Sequence, residues 1–283
     1  MRLSVLMTIY AKVSVEELRR SLSSVLEQSL APDEVVVVED GPLPPDLRQA
    51  VDELAATHPQ LRLVKLAVNG GSGVASAAGL RAARGDLVAR MDADDISLPH
   101  RFAQQVTLME RDHLDICGSS VLEFHGDPDH VIGVRRLPST QADIERYVRI
   151  NSPFNNPSVV LRRELALRVG GYHDLRYMQD YDLFARMLAA GARVANIDEP
   201  LVLFSAGSTM LRRRSGLEMV RREWDLQRRL RRYGTVGRWG MVRNLVVRSA
   251  FRLLPAPVLT FAYRVLFRRA HEGPDTSVTG VSS

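Results

Sequence analysis

One cysteine, Cys117, occurs in 283 residues, so an intrachain disulfide is excluded and a reducing compartment is expected. It lies in an apolar run, 116–121, and reads as a packed thiol. No uninterrupted apolar stretch reaches the ~20 residues of a membrane-spanning helix. The first apolar stretch, Met1-Arg2-Leu3-Ser4-Val5-Leu6-Met7, is too short for a signal peptide and runs directly into a strand. Histidines 58, 100, 113, 125, 130, 173 and 271 show no metal-ligand spacing, and His100 and His173 read as structural. There is no P-loop, no dinucleotide fingerprint, no internal repeat and no low-complexity tract.

What is present is enough for a large core, with 45% apolar and 25% charged residues, in one big domain or two. The net charge of +5 conceals an asymmetry: residues 212–269 carry 16 arginines against Glu218, Glu223 and Asp225. That segment has a net of +13, and the remainder, with 22 basic and 30 acidic residues, a net of −8. An acidic body with a basic tail points to an anionic surface as partner.

The stretch Val88-Ala89-Arg90-Met91-Asp92-Ala93-Asp94-Asp95 carries the most chemistry. An apolar run, 86–89, leads into three closely spaced carboxylates, and Pro99 then opens an amphipathic segment with Phe102, Val106 and Met109 at helical spacing. The acids therefore fall on a strand-to-helix loop, where open α/β sheets bind ligands. Carboxylates this close repel one another unless a cation intervenes, and hard divalent ions such as Mg²⁺ or Mn²⁺ take one or two of them together with substrate phosphates. The plain alternative is an acidic turn that caps the next helix.

Around this stretch, strands are expected at 3–9, 34–38, 61–66 and 86–89, with helices at 15–28, near 45–57 and at 75–83. That alternation predicts a doubly wound, mostly parallel sheet with right-handed crossovers. The second half is less regular. Strands are expected at 115–124, 131–137, 158–161, 193–197 and 201–204, and helices at 141–150, 163–169 and 179–190. Asp40 ends the second strand on the same sheet edge as Asp92 and Asp94, where it can accept hydrogen bonds from a nucleobase or ribose; otherwise it is a turn residue before Gly41-Pro42. The loop 69–73 is glycine-rich enough for backbone to approach a phosphate. Asp180, in the first turn of the helix 179–190, projects toward the apolar face formed by residues 183, 184, 187 and 188, and is a candidate general base. Asp182 is expected at the surface, paired with Arg186.

Together these residues resemble family-2 glycosyltransferases. The resemblance rests on Ser4-Val5-Leu6-Met7-Thr8-Ile9-Tyr10, Ser23-Ser24-Val25-Leu26-Glu27-Gln28-Ser29, Val37-Val38-Glu39-Asp40-Gly41, Arg90-Met91-Asp92-Ala93-Asp94-Asp95 and Gln179-Asp180-Tyr181-Asp182-Leu183, in that order over about residues 3–205. It implies the GT-A fold and an inverting, metal-dependent enzyme of the bacterial surface-polysaccharide group. It further implies a nucleotide-diphosphate sugar donor, a uridine-type nucleotide and a saccharide or lipid-linked acceptor. Thr8, Tyr10, Asp40, Gly73, Arg90 and Asp92 would bind the nucleotide sugar, Asp94 the Mn²⁺ or Mg²⁺, and Asp180 would deprotonate the acceptor. Three positions depart from the family pattern: Gln179 replaces Glu, Ala77 replaces Asn, and Asn156 stands where many relatives have His before Pro-Thr. A sugar nucleotidyltransferase is a rival, but Thr8-Ile9-Tyr10-Ala11-Lys12 lacks its glycines. A non-catalytic, membrane-docked binding protein is another.

The expected division is a catalytic unit at 1–210, a basic amphipathic helical extension at 211–270 and a disordered tail at 271–283. In the extension, Val242, Leu245, Val246 and Phe251 group together with Arg243, Arg248 and Arg252 between them, before an apolar run at 253–263. A helix of this kind lies in a lipid headgroup region. The alternatives are packing on the catalytic unit or nucleic-acid binding. The reading adopted is an anionic membrane surface without nucleic acid, and a cytoplasmic protein held peripherally at the inner face of the plasma membrane.

Overall fold

The structure, a computed structural model, describes residues 1–206 and 217–253. The expected boundary at 210/211, the tail at 271–283 and the apolar run from residue 254 onward lie outside the described residues.

The chain runs β1 (Leu3–Ile9), α1 (Val15–Leu26), β2 (Glu34–Asp40), α2 (Pro45–Thr57), β3 (Leu61–Leu66), α3 (Ser72–Ala82) and β4 (Leu87–Asp92). A two-residue β5 (Ile96–Ser97) precedes α4 (Arg101–Arg111), β6 (Ile116–His125), β7 (Asp127–Arg135) and α5 (Gln141–Tyr147). A 3-10 turn (Asn156–Ser158) leads to β8 (Val160–Arg162), α6 (Arg163–Arg168), α7 (Gln179–Ala189) and β9 (Val194–Ser205). Among the described residues that follow are the helices α8 (Leu217–Arg232) and α9 (Arg238–Leu253).

The strands join one sheet in the order β3-β2-β1-β4-β8-β6-β9-β5, with β7 on β6. β3, β2, β1 and β4 are mutually parallel, as the apolar runs predict. β8 then pairs antiparallel to both β4 and β6, so the second half of the sheet is mixed. The two strands expected at 193–197 and 201–204 are one strand whose register slips as it passes Pro200. β5, too short to leave a periodic signal, pairs with β9 and fastens the acidic loop to the far half of the sheet.

Alternation along the parallel strands divides the core. Val5, Met7, Ile9, Val35 and Val37 face α1, α2 and α4, whereas Leu6, Val36 and Val38 face α3, α6 and α7. Each of these six helices presents its apolar face to the sheet. α1 is opened by a capping box between Ser14 and Glu17 and buries Leu18, Leu22 and Val25. α3 comes closest: a Cβ at Gly79 would stand 2.0 Å from Leu6 Cδ1, so only glycine allows that approach.

A third cluster joins α8 and α9 to the rest of the protein. Leu226, Leu230, Val236 and Met241 pack on Val148, Tyr181 and Ala185. Polar anchoring accompanies it: Asn244 Nδ2 donates to the Arg149 carbonyl at 2.7 Å and Arg248 to the Ile150 carbonyl at 2.8 Å, while Arg248 also pairs with buried Glu223 at 3.0 Å. This part of the basic segment is therefore packed on the body formed by residues 1–206.

Asp182 corrects the surface position expected for it. It does pair with Arg186, accepting from Nε at 3.0 Å and a terminal nitrogen at 2.8 Å, but it is fully buried. Tyr233, in the turn after α8, donates to it at 2.9 Å, and His173 Nδ1 lies 2.8 Å away. The i,i+4 spacing was legible; the helix that covers it was not. Asp182→Ala leaves Arg186 buried and uncompensated and should destabilise the protein by about 3–5 kcal/mol. Tyr233→Phe should cost about 1 kcal/mol. Urea denaturation of both variants beside the parent checks the difference.

Candidate active site at the strand ends

β1, β2 and β4 run parallel, so their C-terminal ends share one edge of the sheet. Thr8 lies directly across from Asp92, and Ile9 from Glu39, which puts Tyr10 level with Asp40. Thr8, Tyr10 and Asp92 are each half-exposed there, in contrast to the sealed residues below them.

Past β4 the chain turns tightly, and the three acids separate by environment. Asp92 is half-buried and accepts from Arg90 at 3.1 Å; Asp94 is exposed; Asp95 is buried, with one oxygen accepting from the Ser205 backbone N–H at 2.7 Å. The other Asp95 oxygen is buried without a hydrogen-bond partner. Burial above all, then the nearby Asp94 and Asp92, pushes the Asp95 carboxyl well above the usual range. Among the described residues no three His, Cys, Asp or Glu side chains are gathered into a metal cage. None is required for a hard divalent ion that takes one or two carboxylates and fills its remaining positions with substrate oxygens and water. An exposed Asp94 beside Asp92, over a buried carboxyl with an orphaned oxygen, fits that chemistry.

The glycine loop is tied to β2. Gly70 and Gly71 donate their backbone N–H groups to the two oxygens of Asp40, at 2.7 and 2.9 Å. Asp40 is buried, so its first task in this structure is to hold the loop against the strand end. Gly73 is buried too: a Cβ there would lie 2.5 Å from the carbonyl oxygens of His173 and Leu175. The segment 173–175 thus lies directly on the first turn of α3. Gln179, at the start of α7, reaches across and donates to Ser72 Oγ at 2.8 Å. An ionised Glu at this position could only accept there; the amide donates instead.

These contacts bring the N-terminal turn of α7, with half-buried Asp180, beside the glycine loop. Tyr172 lies beside this edge. It is buried, its hydroxyl has no hydrogen-bond partner, and its ring lies 6.0 Å from the Arg90 guanidinium. Burial pushes its hydroxyl up to about 12, against the pull of Arg90 and with the push of both Asp180 and Asp92. Arg90 is itself 1% exposed and divides its donors between the Leu6 carbonyl and Asp92, so it acts from beneath the edge as a positioning group. Asn156 lies in the 3-10 turn next to β4, where the Val159 carbonyl accepts from Arg90 N–H at 2.7 Å. Ala77 is buried within α3.

Thr8, Tyr10, Asp40, Asp92, Asp94 and Asp180 therefore gather at one edge, while Gly73 and Arg90 lie beneath it. Sequence reasoning missed Tyr172, the Ser72–Gln179 bond and the burial of Asp95. The Gly170-Gly171 pair before Tyr172 signalled a turn and nothing about what lies over it. Gly73→Ala should lift the segment 173–175 off α3 and cost about 1–3 kcal/mol of stability. Loss of the Gln179–Ser72 contact would accompany it, which a thermal melt and the NMR signals of the Gln179 side-chain amide would register.

Residues 4–170 match the family described as Glycosyl transferase family 2. The chain is 36% identical over 263 residues to the amylovoran biosynthesis glycosyltransferase AmsE of Erwinia amylovora, covering 92% of this chain and 97% of that one. It is 31% identical over 269 residues to the Escherichia coli UDP-Gal:alpha-D-GlcNAc-diphosphoundecaprenol beta-1,3-galactosyltransferase, covering 95% and 97%. Among solved structures, S. aureus TarS 1-349 in complex with UDP-GlcNAc superposes with a TM-score of 0.63 at 19% identity, over 81% of this chain and 66% of that one. The mannosyltransferase PcManGT of Pyrobaculum calidifontis, in complex with GDP-Man and Mn²⁺, superposes with a TM-score of 0.61 at 21% identity, over 97% and 76%. The fold is that of these GT-A enzymes, and with matches along almost its whole length the chain belongs to glycosyl transferase family 2.

Proposed function

We propose that the protein is an inverting, metal-dependent glycosyltransferase that moves a hexosyl group from a nucleotide-diphosphate sugar, UDP-linked, to a saccharide or lipid-linked acceptor in cell-surface polysaccharide synthesis. The observation that carries the reading is the fastening of the first turn of α7, which holds Asp180, to the glycine loop at the strand-end edge by the 2.8 Å hydrogen bond from Gln179 to Ser72. Family membership supports the reaction class. The donor and the diphosphoundecaprenol-linked acceptor in the name of the Escherichia coli relative support the substrate classes.

In this reading the nucleoside lies across the ends of β1 and β2, against Thr8, Tyr10 and the Asp40-held loop. Asp92 meets the ribose or diphosphate, its carboxylate aimed by Arg90. Asp94, with Asp92 beside it, would hold Mn²⁺ or Mg²⁺, which when bound neutralises charge on the departing diphosphate. Asp180 takes the proton of the acceptor hydroxyl as that oxygen bonds to the anomeric carbon. The bond from that carbon to the diphosphate oxygen breaks, and its electron pair leaves with the nucleoside diphosphate. Gln179, locked to Ser72, keeps Asp180 at a set distance from the donor loop. An acceptor carried on lipid would bring the enzyme to the inner face of the plasma membrane, as a cytoplasmic peripheral protein. No helix among the described residues is long and apolar enough to cross a membrane.

Hydrolysis of a panel of nucleotide sugars with Mn²⁺, followed by transfer to lipid-linked acceptors, tests the proposal. A protein that binds donor without turnover would be the binding protein considered above instead. Asp94→Ala should abolish transfer and the metal-enhanced part of nucleotide binding while leaving the melting temperature near that of the parent; undiminished turnover would remove Asp94 from the metal site. Asp180→Asn keeps size but cannot take a proton. Its turnover should fall about 10²-fold or more, with donor affinity little changed. Survival of activity would move the base to the exposed Asp174, since Asp182 is sealed in the core.

A further inference from the structure

Helix α9 is amphipathic with its apolar arc turned outward. On the side facing the protein it presents Met241 and Leu245 together with two polar residues, Asn244 and Arg248, whose donors are taken by the carbonyls of Arg149 and Ile150. The opposite side carries Trp239, Val242 and Val246, spaced three and four residues apart and therefore on one stripe. These are 86%, 51% and 64% exposed, and Val247 beside them is 59% exposed. A helix that ends at water shows the reverse arrangement. Single exposed apolar residues need no explanation, but a stripe headed by an almost fully exposed tryptophan does.

Charge selects the partner. Residues 217–253 hold ten arginines and three acids, and Glu223 among the acids is buried. Arg221, Arg228, Arg231, Arg232, Arg238 and Arg243 are exposed, and Arg238 and Arg243 flank the apolar stripe on α9 itself. A second copy of the chain docked stripe to stripe would place its Arg238 and Arg243 against the same residues of the first, a like-charge contact. A bilayer rich in anionic lipid offers apolar tails to Trp239, Val242 and Val246 and phosphates to the arginines, at the depth where tryptophan settles.

We infer that the outward face of α9, centred on Trp239, Val242 and Val246 and edged by Arg238 and Arg243, is the surface that docks the enzyme on an anionic lipid bilayer. The inference deepens the membrane attachment proposed above and rests on the lipid-linked acceptor only for its setting. It differs from attachment by the basic segment as a whole, because Met241, Leu245 and Arg248 are committed to the protein. The docking face is rigidly joined to α7 through the contacts of α8 and α9, so a docked bilayer has a set orientation relative to Asp180.

The test uses the full chain with Trp224→Phe, leaving Trp239 as the sole tryptophan, and vesicles of phosphatidylglycerol with phosphatidylcholine or of phosphatidylcholine alone. Co-sedimentation should be about tenfold stronger or more with the anionic vesicles at low salt, should weaken as salt rises, and should be accompanied by a blue shift of Trp239 emission. The triple variant Trp239→Gln, Val242→Gln and Val246→Gln, made in the parent chain, should lose about tenfold or more of that binding while its melting temperature and nucleotide-sugar hydrolysis stay at the parent's level. Failure of the full chain to bind anionic vesicles overturns the inference, as does undiminished binding by the triple variant. So does a Trp239 emission already blue and shielded from quencher without vesicles, as it would be beneath residues 254–283 or a second copy. Absence of hydrolysis in the parent would overturn the catalytic reading alone, since vesicle binding decides the docking face.

Discussion

The three inner parallel strands, β2, β1 and β4, are covered on both faces, which leaves mainly their ends for polar side chains that meet water. Along β1, β2 and β4, Leu6, Val36, Val38, Val88 and Ala89 are sealed from water, and an uncompensated carboxylate among them would cost several kcal/mol. The chain therefore changes character abruptly where each strand stops, at Thr8 to Tyr10, at Asp40 and at Asp92. Because the strands are parallel, those changes fall on one edge, and the site is a consequence of the sheet's direction before any single residue is considered.

That edge is completed from the other half of the protein. α7 faces two ways within its first turn: Asp180 is half-exposed toward the glycine loop, and Asp182 is sealed under α8 with Arg186, His173 and Tyr233 around it. Burial also lowers the tendency of His173 to take a proton, as do Arg186 and Arg229 nearby, so Asp182 is matched mainly by Arg186. The packing that seals Asp182 also holds the first turns of α7, through Tyr181 and Ala185, against α8 and α9. A basic tail that reads as an appendage turns out to share a core with the helix that carries the candidate base.

Legibility followed physical range. The strands 3–9, 34–38, 61–66 and 86–89 and the helix 179–190 were readable because apolar periodicity records burial locally. β5 and the union of residues 194–205 into one strand were not, since both depend on β9 pairing across the sheet. In α9 the sequence shows two apolar arcs, and grouping Val242 with Leu245 merged them. Leu245 turns inward while Val242 and Val246 turn outward because Asn244 and Arg248 find the carbonyls of Arg149 and Ile150.

The sequence by itself determined the family, the parallel half of the sheet, and the residue types at the strand ends, because each is written in order and spacing along the chain. Tertiary structure alone decided which carboxylates are exposed, which are buried, and what each one holds. Asp40 is committed to Gly70 and Gly71, Asp95 is sealed, and Asp182 is a buried hub, whereas Asp94 is exposed and Asp180 half-exposed at the edge. Burial of a charge depends on what packs over it, and for these acids that comes from segments far along the chain, beyond the reach of any local pattern.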